Sequence, residues 1–169
     1  MKNNLHLLLR ALFIIIISIY VLWFGHDPLG HYFLSSLNLI FHEAGHMLFG
    51  LYGETIHILG GSLMQVLIPV VFALYFLNRH ELYGLSVMMI WLGSNLFGIS
   101  IYVRDAVSMS LELLGGDGVT HDWNYLLTNW NLLEYHNQIA GAFYTLGIIS
   151  VIAGAVLGIY SAINYRKPI

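Results

Sequence analysis

The sequence contains no cysteine, which excludes disulfide bonds, thiolate zinc sites and a cysteine nucleophile. Any bound metal ion must therefore be held by His, Asp or Glu, and the chain has nine histidines. Charge is also scarce, because Asp, Glu, Lys and Arg make up only 9% of the 169 residues. Six residues are Lys or Arg and they form no basic stripe, so nucleic acid is not expected as a partner.

Hydrophobic residues make up 58% of the chain, and the mean hydropathy is +0.74. Such a composition is typical of an integral membrane protein, so we expect the chain to be surrounded by the lipid bilayer. About 20 apolar residues cross the hydrocarbon layer, and apolar runs cover roughly residues 7–24, 29–52, 62–77, 82–103 and 139–163. We predict one all-α domain over residues 1–169, a polytopic bundle of five to six transmembrane segments.

A count of six segments includes the apolar stretch between Arg104 and Leu133 as the fifth, which would be short or irregular. If it crosses, both termini lie on the same side as Arg104, and only Arg79 lies on the other side. Cytoplasmic loops carry an excess of Lys and Arg, so this arrangement places both termini in the cytoplasm. We predict a multi-pass protein of a bacterial-type cell membrane, with both termini in the cytoplasm.

The most informative stretch is FHEAGHM, residues 41–47, which lies near the far end of the second apolar run. His42 and His46 are four residues apart, so a helix places both imidazoles on one face, where they can bind the same metal ion. Glu43 lies beside that face and is a candidate general base for a metal-activated water. Zinc suits such ligands, and costly ionisable groups within a membrane span indicate a functional site.

The segment after this motif reads ETIHILGGSL, and Gly53, Gly60 and Gly61 bracket its β-branched residues. This pattern predicts a short extended or re-entrant element that returns toward the motif. Asn95 and Gln65 are candidates for contacts with substrate or with an oxyanion. The alternatives are a hydrogen bond of Asn95 across a close helix contact, and a Gln65 side chain that reaches the membrane interface.

An HExxH motif inside a membrane span, here FHEAGHMLFG, resembles the site-2 protease family of intramembrane zinc metallopeptidases. The resemblance implies that His42 and His46 are zinc ligands and that Glu43 is the general base. It also implies that the extended element pairs with the substrate backbone. The third ligand in that family is an aspartate in a later motif with an upstream Asn-Pro, and this chain has no proline at that place.

Three residues remain candidates for the third zinc ligand. Asp122 in THDWNYLL is our first choice, because we expect a helix to begin there after a glycine-rich loop. The adjacent His121 is the second choice, since imidazole is also a competent zinc ligand. Asp117, in the loop itself, is the third, and its loop is less suited to holding a metal.

These features predict an intramembrane zinc metalloprotease with one zinc ion and a membrane-spanning protein or peptide as substrate. One alternative is a zinc-dependent membrane hydrolase that cleaves a lipid amide or a small molecule. Another is a non-catalytic metal-binding membrane protein, which would carry polar ligands along several spans. The sequence indicates neither the cleavage position nor the oligomeric state.

Overall fold

The computed structural model describes residues 2–25, 33–114 and 119–164. These residues form α-helices and short turns, and no strand occurs in these three ranges. The helices are α1 (Lys2–Phe24), α2 (Phe33–Phe49), α3 (Glu54–Asn78), α4 (Leu82–Arg104), α5 (Asp122–Asn129) and α6 (His136–Ile163). Short 3₁₀ turns at Gly50–Tyr52 and Leu133–Tyr135 precede α3 and α6. The predicted all-α class is therefore confirmed for the described part of the chain.

Four helical stretches in the described ranges are long and apolar enough to cross a membrane: Leu5–Phe24, Glu54–Asn78, Leu82–Arg104 and Leu133–Ile163. They support the prediction of a membrane protein, but the predicted count of five to six spans is not confirmed. The helix α2 has 17 residues and is about 25 Å long at 1.5 Å per residue. Among the described residues of the segment between Arg104 and Leu133, the one α-helix is α5, whose 8 residues extend about 12 Å.

The bundle consists of two closely packed helix pairs, with α1 lying beside the second pair. The helices α2 and α3 are antiparallel, because Gly45 lies against Gly60 while His46 lies against His57. The helices α4 and α6 are also antiparallel, because Gly93 contacts Val151 while Ser100 donates to the carbonyl of Ala140. Apolar side chains of α1, α4 and α6 form one core, which contains Ile14, Val21, Ile90, Phe97 and Val151.

The two ends of the bundle are distinguished by which helix termini they contain. At one end, which we call the opposite end, the Tyr83 hydroxyl donates to the carbonyl of Arg10, and Gly158 lies against Ser86. This end therefore contains the start of α1, the turn between α3 and α4, and the last part of α6. At the other end, which we call the site end, the start of α3, the end of α4, α5 and the start of α6 share a core that includes Ile58, Val103, Trp123 and Ala140.

The segment ETIHILGGSL is helical, which corrects the prediction of an extended element after the HExxH helix. The turn occurs earlier, at Gly53, whose φ of +92° is readily adopted only by glycine. Glu54 then begins α3, where its negative charge suits the positive end of the helix dipole. Gly60 lies within α3, where it faces Gly45 of α2. A side chain on Gly45 would collide with the carbonyl group of Gly60. Gly45 and Gly60 therefore permit close contact between two helices, whereas Gly53 forms the turn.

Candidate metal centre

Three side chains from two distant parts of the chain converge at the site end. His42 and His46 project from α2, and Asp122 is the first residue of α5. The Asp122 Oδ2 atom lies 2.9 Å from His42 Nε2 and 3.2 Å from His46 Nε2, and the two Nε2 atoms are 3.0 Å apart. The three side chains thus form a cluster that could hold a metal ion.

The hydrogen bonds behind both imidazoles determine which ring nitrogen carries the proton. His46 Nδ1 lies 2.9 Å from the carbonyl oxygen of His57, and His42 Nδ1 lies 3.2 Å from Gln65 Oε1. These oxygens can only accept, so each Nδ1 donates and each neutral ring presents the Nε2 lone pair toward Asp122. Two lone pairs and a carboxylate oxygen thus face one another, and only a shared proton or a cation relieves their repulsion. A hydrogen bond from Nδ1 to an oxygen acceptor is typical of histidines that bind a metal through Nε2.

The separations of these atoms fit a small tetrahedral ion. Zinc binds imidazole nitrogen and carboxylate oxygen at about 2.0–2.2 Å, which places tetrahedral ligand atoms about 3.3 Å apart. The observed separations of 2.9–3.2 Å are a few tenths of an ångström shorter. Slight outward movement of His42, His46 and Asp122 would accommodate the ion. The three residues therefore fit a metal that takes three protein ligands and keeps one position open.

Gly61 provides the space in which the two imidazoles meet. A Cβ atom at Gly61 would lie 2.6 Å from His42 Nε2 and 2.7 Å from His46 Nε2, well inside van der Waals contact. Any side chain at this position of α3 would therefore displace the histidine rings. The glycine was interpreted from sequence as a boundary of the extended segment, but it lies directly beside the metal cluster.

Asp122 is held at the cluster by the residues around the start of α5. Its backbone N–H donates to the Tyr102 hydroxyl at 3.1 Å, and the next residue, Trp123, is buried and donates to Ser62 Oγ at 3.0 Å. Burial opposes ionisation of the Asp122 carboxyl, but a proton shared with the His42 and His46 imidazoles outweighs burial and lowers the pKa of Asp122. Asp122 is thus an anion that points at the two histidines, as a metal ligand requires.

His121, the second choice for the third ligand, faces away from the cluster toward Asp105. Its Nδ1 accepts from the backbone N–H of Asn124 at 3.2 Å, and its Nε2 lies 3.3 Å from Asp105 Oδ2. With Nδ1 accepting, the proton on Nε2 donates to Asp105, so neither ring nitrogen offers a free lone pair. Burial lowers the pKa of the His121 imidazole, which keeps this ring neutral. The third choice, Asp117, lies outside the described residues.

Asp105 organises the chain between α4 and α5. Its carboxylate accepts hydrogen bonds from Ser108 Oγ, from the N–H and Oγ of Ser110, and from the N–H of Leu111. Burial raises the pKa of this carboxyl, but the hydrogen bonds together outweigh burial and lower it to about 2. Because His121 also contacts Asp105, one carboxylate links both ends of the connection that delivers Asp122.

A cavity of about 430 Å³ opens beside the metal cluster. Its described lining includes polar and apolar side chains: Ser35, Ser36, Asn38, Leu39, Glu43, Gln65, Ile101, Tyr102, Leu111, Glu112, Leu113 and Val119. Glu43 is exposed within this region, next to His42 in sequence. The cavity therefore brings together a candidate ligand set, a free carboxylate and room for another molecule.

The two other predicted site residues have different surroundings. Gln65 lines the cavity and supports His42 from behind, so its contact is with a candidate ligand. Asn95 is buried in α4, where its Nδ2 donates to the carbonyl of Trp91 one turn earlier, and it lies outside the described lining of the cavity. The sequence reasoning did not assign Tyr102 or His57 to the site. The one indication in the sequence that His57 contacts His46 was its position, eleven residues later in the chain.

The comparisons with known proteins found no match to this chain among family models, curated proteins or solved structures. The resemblance to site-2 proteases therefore remains an expectation based on the sequence around FHEAGHM. The arrangement of His42, His46, Asp122 and Glu43 is accordingly the main indication of function.

Proposed function

We propose that the protein is an intramembrane zinc metallopeptidase that hydrolyses peptide bonds of membrane-embedded substrates. One observation carries this proposal: two imidazole lone pairs and a carboxylate converge beside a cavity that also contains the free carboxylate of Glu43. The set of two nitrogens and one oxygen matches catalytic zinc sites, which keep a fourth position open for water. A purely structural site is closed by a fourth protein ligand, and the described residues around this cluster supply none.

The mechanism assigns separate tasks to the residues around the cavity. When bound, zinc would polarise the scissile carbonyl and increase the acidity of water. The Glu43 carboxylate accepts a proton from the attacking water and later donates it to the leaving amine. Gln65 and the carbonyl of His57 keep the two imidazoles oriented with Nε2 toward the cluster. A substrate helix must unwind locally, because its carbonyls are otherwise engaged in helical hydrogen bonds.

A lipid amide is the second candidate substrate, and the lining of the cavity favours it. Leu39, Ile101, Leu111 and Leu113 line the cavity together with the polar groups, so an acyl chain would find apolar contacts there. The helical form of ETIHILGGSL removes a strand that would have favoured a peptide. We retain the peptide as first candidate because the exposed hydroxyl of Ser36 lines the cavity and can form a hydrogen bond with an unwound backbone.

The test is the Glu43→Gln variant, assayed on a quenched-fluorescent transmembrane peptide and on an N-acyl amide lipid in proteoliposomes. Removal of the general base should lower kcat by about 10²- to 10⁴-fold, with zinc content unchanged. Glu112→Gln is the matched control, because Glu112 lines the same cavity and should retain activity. A Glu43→Gln variant that cleaves as fast as the parent would refute the general-base assignment. A parent that binds zinc but cleaves neither substrate would favour a non-catalytic metal-binding protein.

A further inference from the structure

The two ends of the bundle differ in their basic residues. The opposite end contains Lys2, Arg10 and Arg79. The Arg10 guanidinium lies over the ring of Tyr83, and Arg79 lies in the turn between α3 and α4. Arg166 and Lys167 follow the last residue of α6, Ile163, by three and four positions in the sequence. Arg104 is the only Lys or Arg of the described residues at the site end.

We infer that the site end faces the extracytoplasmic side of the membrane and that the metal centre opens there. Short loops and helix flanks rich in Lys and Arg remain in the cytoplasm, and acidic residues contribute little to this preference. Four crossings place the start of α1 and the end of α6 on the same side, together with the turn that contains Arg79. Among the described residues, the opposite end thus carries Lys2, Arg10 and Arg79, as expected of a cytoplasmic face, whereas the site end carries Arg104 alone.

This arrangement differs from the orientation expected from the sequence in one respect. Both place the two termini in the cytoplasm, but the sequence prediction placed Arg104 inside and Arg79 outside. The two arginines exchange sides because α2, which precedes both of them, is not among the four candidate spans. Because α5 is also too short to cross, the C-terminus stays on the side of the N-terminus. The exchange also moves the connection from Asp105 to His121, which carries part of the cavity wall, to the outer face.

The metal cluster lies close to this outer face rather than at the middle of the bundle. The Tyr102 ring, only two residues before the end of α4, packs against the ring of His42 at 5.8 Å between centroids. Asp122 comes from α5, beyond the end of α4. Water and substrate therefore reach the cavity from outside the cytoplasm. If the proposed peptidase function is correct, the cleaved bond lies near the extracytoplasmic end of the substrate's membrane segment.

The absence of native cysteine allows a direct test by labelling of single-cysteine variants. Thr128→Cys places a thiol at an exposed position near the end of α5, at the site end, and Asn78→Cys places one at the exposed end of α3, at the opposite end. Both replace a neutral polar residue, so the charge distribution is unchanged. The probe is a membrane-impermeant maleimide, applied to intact bacterial cells and to permeabilised cells.

We expect Thr128→Cys to be labelled equally in intact and permeabilised cells, and Asn78→Cys to be labelled several-fold more after permeabilisation. The reverse pattern, or equal accessibility of both thiols, would overturn the inference. A fluorescent protein joined after Ile169 and active only in the cytoplasm gives a second measurement that needs no cysteine, and lack of fluorescence from a folded, membrane-inserted fusion would also overturn it. Repeating the labelling in the Glu43→Gln background separates this inference from the proposed function, because orientation does not depend on catalysis.

Discussion

In each of the helix pairs α2–α3 and α4–α6, glycine residues allow the two helices to lie close together, but different groups fill the two contacts. Between α4 and α6, the surface at Gly93 is covered by Val151, and Gly154 contacts Ile90 and the carbonyl of Ser86. Between α2 and α3, the surface at Gly61 is covered by the rings of His42 and His46. The first pair thus fills its contact with apolar side chains and backbone, whereas the second accommodates two imidazole rings of the candidate metal cluster.

This difference indicates that the bundle and the site are separable. The α4–α6 contact supplies an apolar core that also includes Ile14 of α1, and such packing stabilises the fold. The α2–α3 contact holds polar groups whose hydrogen bonds serve the cluster, such as His42 with Gln65. We therefore expect changes in α2–α3 and α5 to affect metal binding, and changes in α4–α6 to affect stability.

The largest effect on metal binding should come from Asp122→Ala. This variant removes one of the three convergent groups, so zinc affinity should fall by roughly 100-fold or more, beyond the 10–100-fold typical of supporting residues. His121→Ala should lose far less zinc, because its nitrogens contact Asn124 and Asp105. Asp117→Ala should retain zinc. The measurement is competition with a chromogenic chelator, with circular dichroism as the control for folding. A larger loss in His121→Ala than in Asp122→Ala would overturn the assignment of the third ligand.

The direct comparison of the two pairs uses Gly61→Ala and Gly93→Ala. At Gly61 the new methyl group displaces the histidine rings, so we expect zinc affinity to fall about 10- to 100-fold with helix content retained. At Gly93 the methyl group meets Val151 and the Gly147 carbonyl, so overpacking should cost about 1–3 kcal/mol of stability with little change in zinc affinity. Gly141→Ala is the control, because its added Cβ meets nothing within 4 Å. The distinction between the pairs fails if Gly61→Ala lowers the thermal stability as much as Gly93→Ala.

The smallest effects should come from single hydrogen bonds in each pair. Gln65→Ala removes the acceptor behind His42, so zinc affinity should fall about tenfold, while thermal stability changes little. Ser150→Ala removes a donor to the carbonyl of Met89 across α4–α6, which should cost about 1 kcal/mol and leave zinc affinity unchanged. Gln65→Glu restores an acceptor and should recover most of the affinity. No recovery in Gln65→Glu would show that Gln65 acts through packing.

Much of the architecture was predictable because it depends on local composition and period. The long apolar runs predicted helices for a membrane, and the spacing of His42 and His46 predicted that their rings share a face. The extended element was predicted wrongly, because β-branched residues between glycines suit a strand in isolation. The segment is helical in the bundle, where Gly60 and Gly61 permit contact with α2. No local pattern reports that a glycine faces another helix.

The sequence by itself determined that the chain is helical, apolar and equipped with two histidines and a glutamate at helical spacing. Tertiary structure decided the rest of the site, since Asp122 is 80 residues from His42 and reaches it only through the packing of α5 against α3 and α4. It also decided the roles of the adjacent residues His121 and Asp122. At the start of α5 the Asp122 side chain points toward the cluster, whereas the His121 side chain points toward Asp105. The physical reason is that metal sites need convergence in space, whereas sequence periodicity reports only which residues share one helix face.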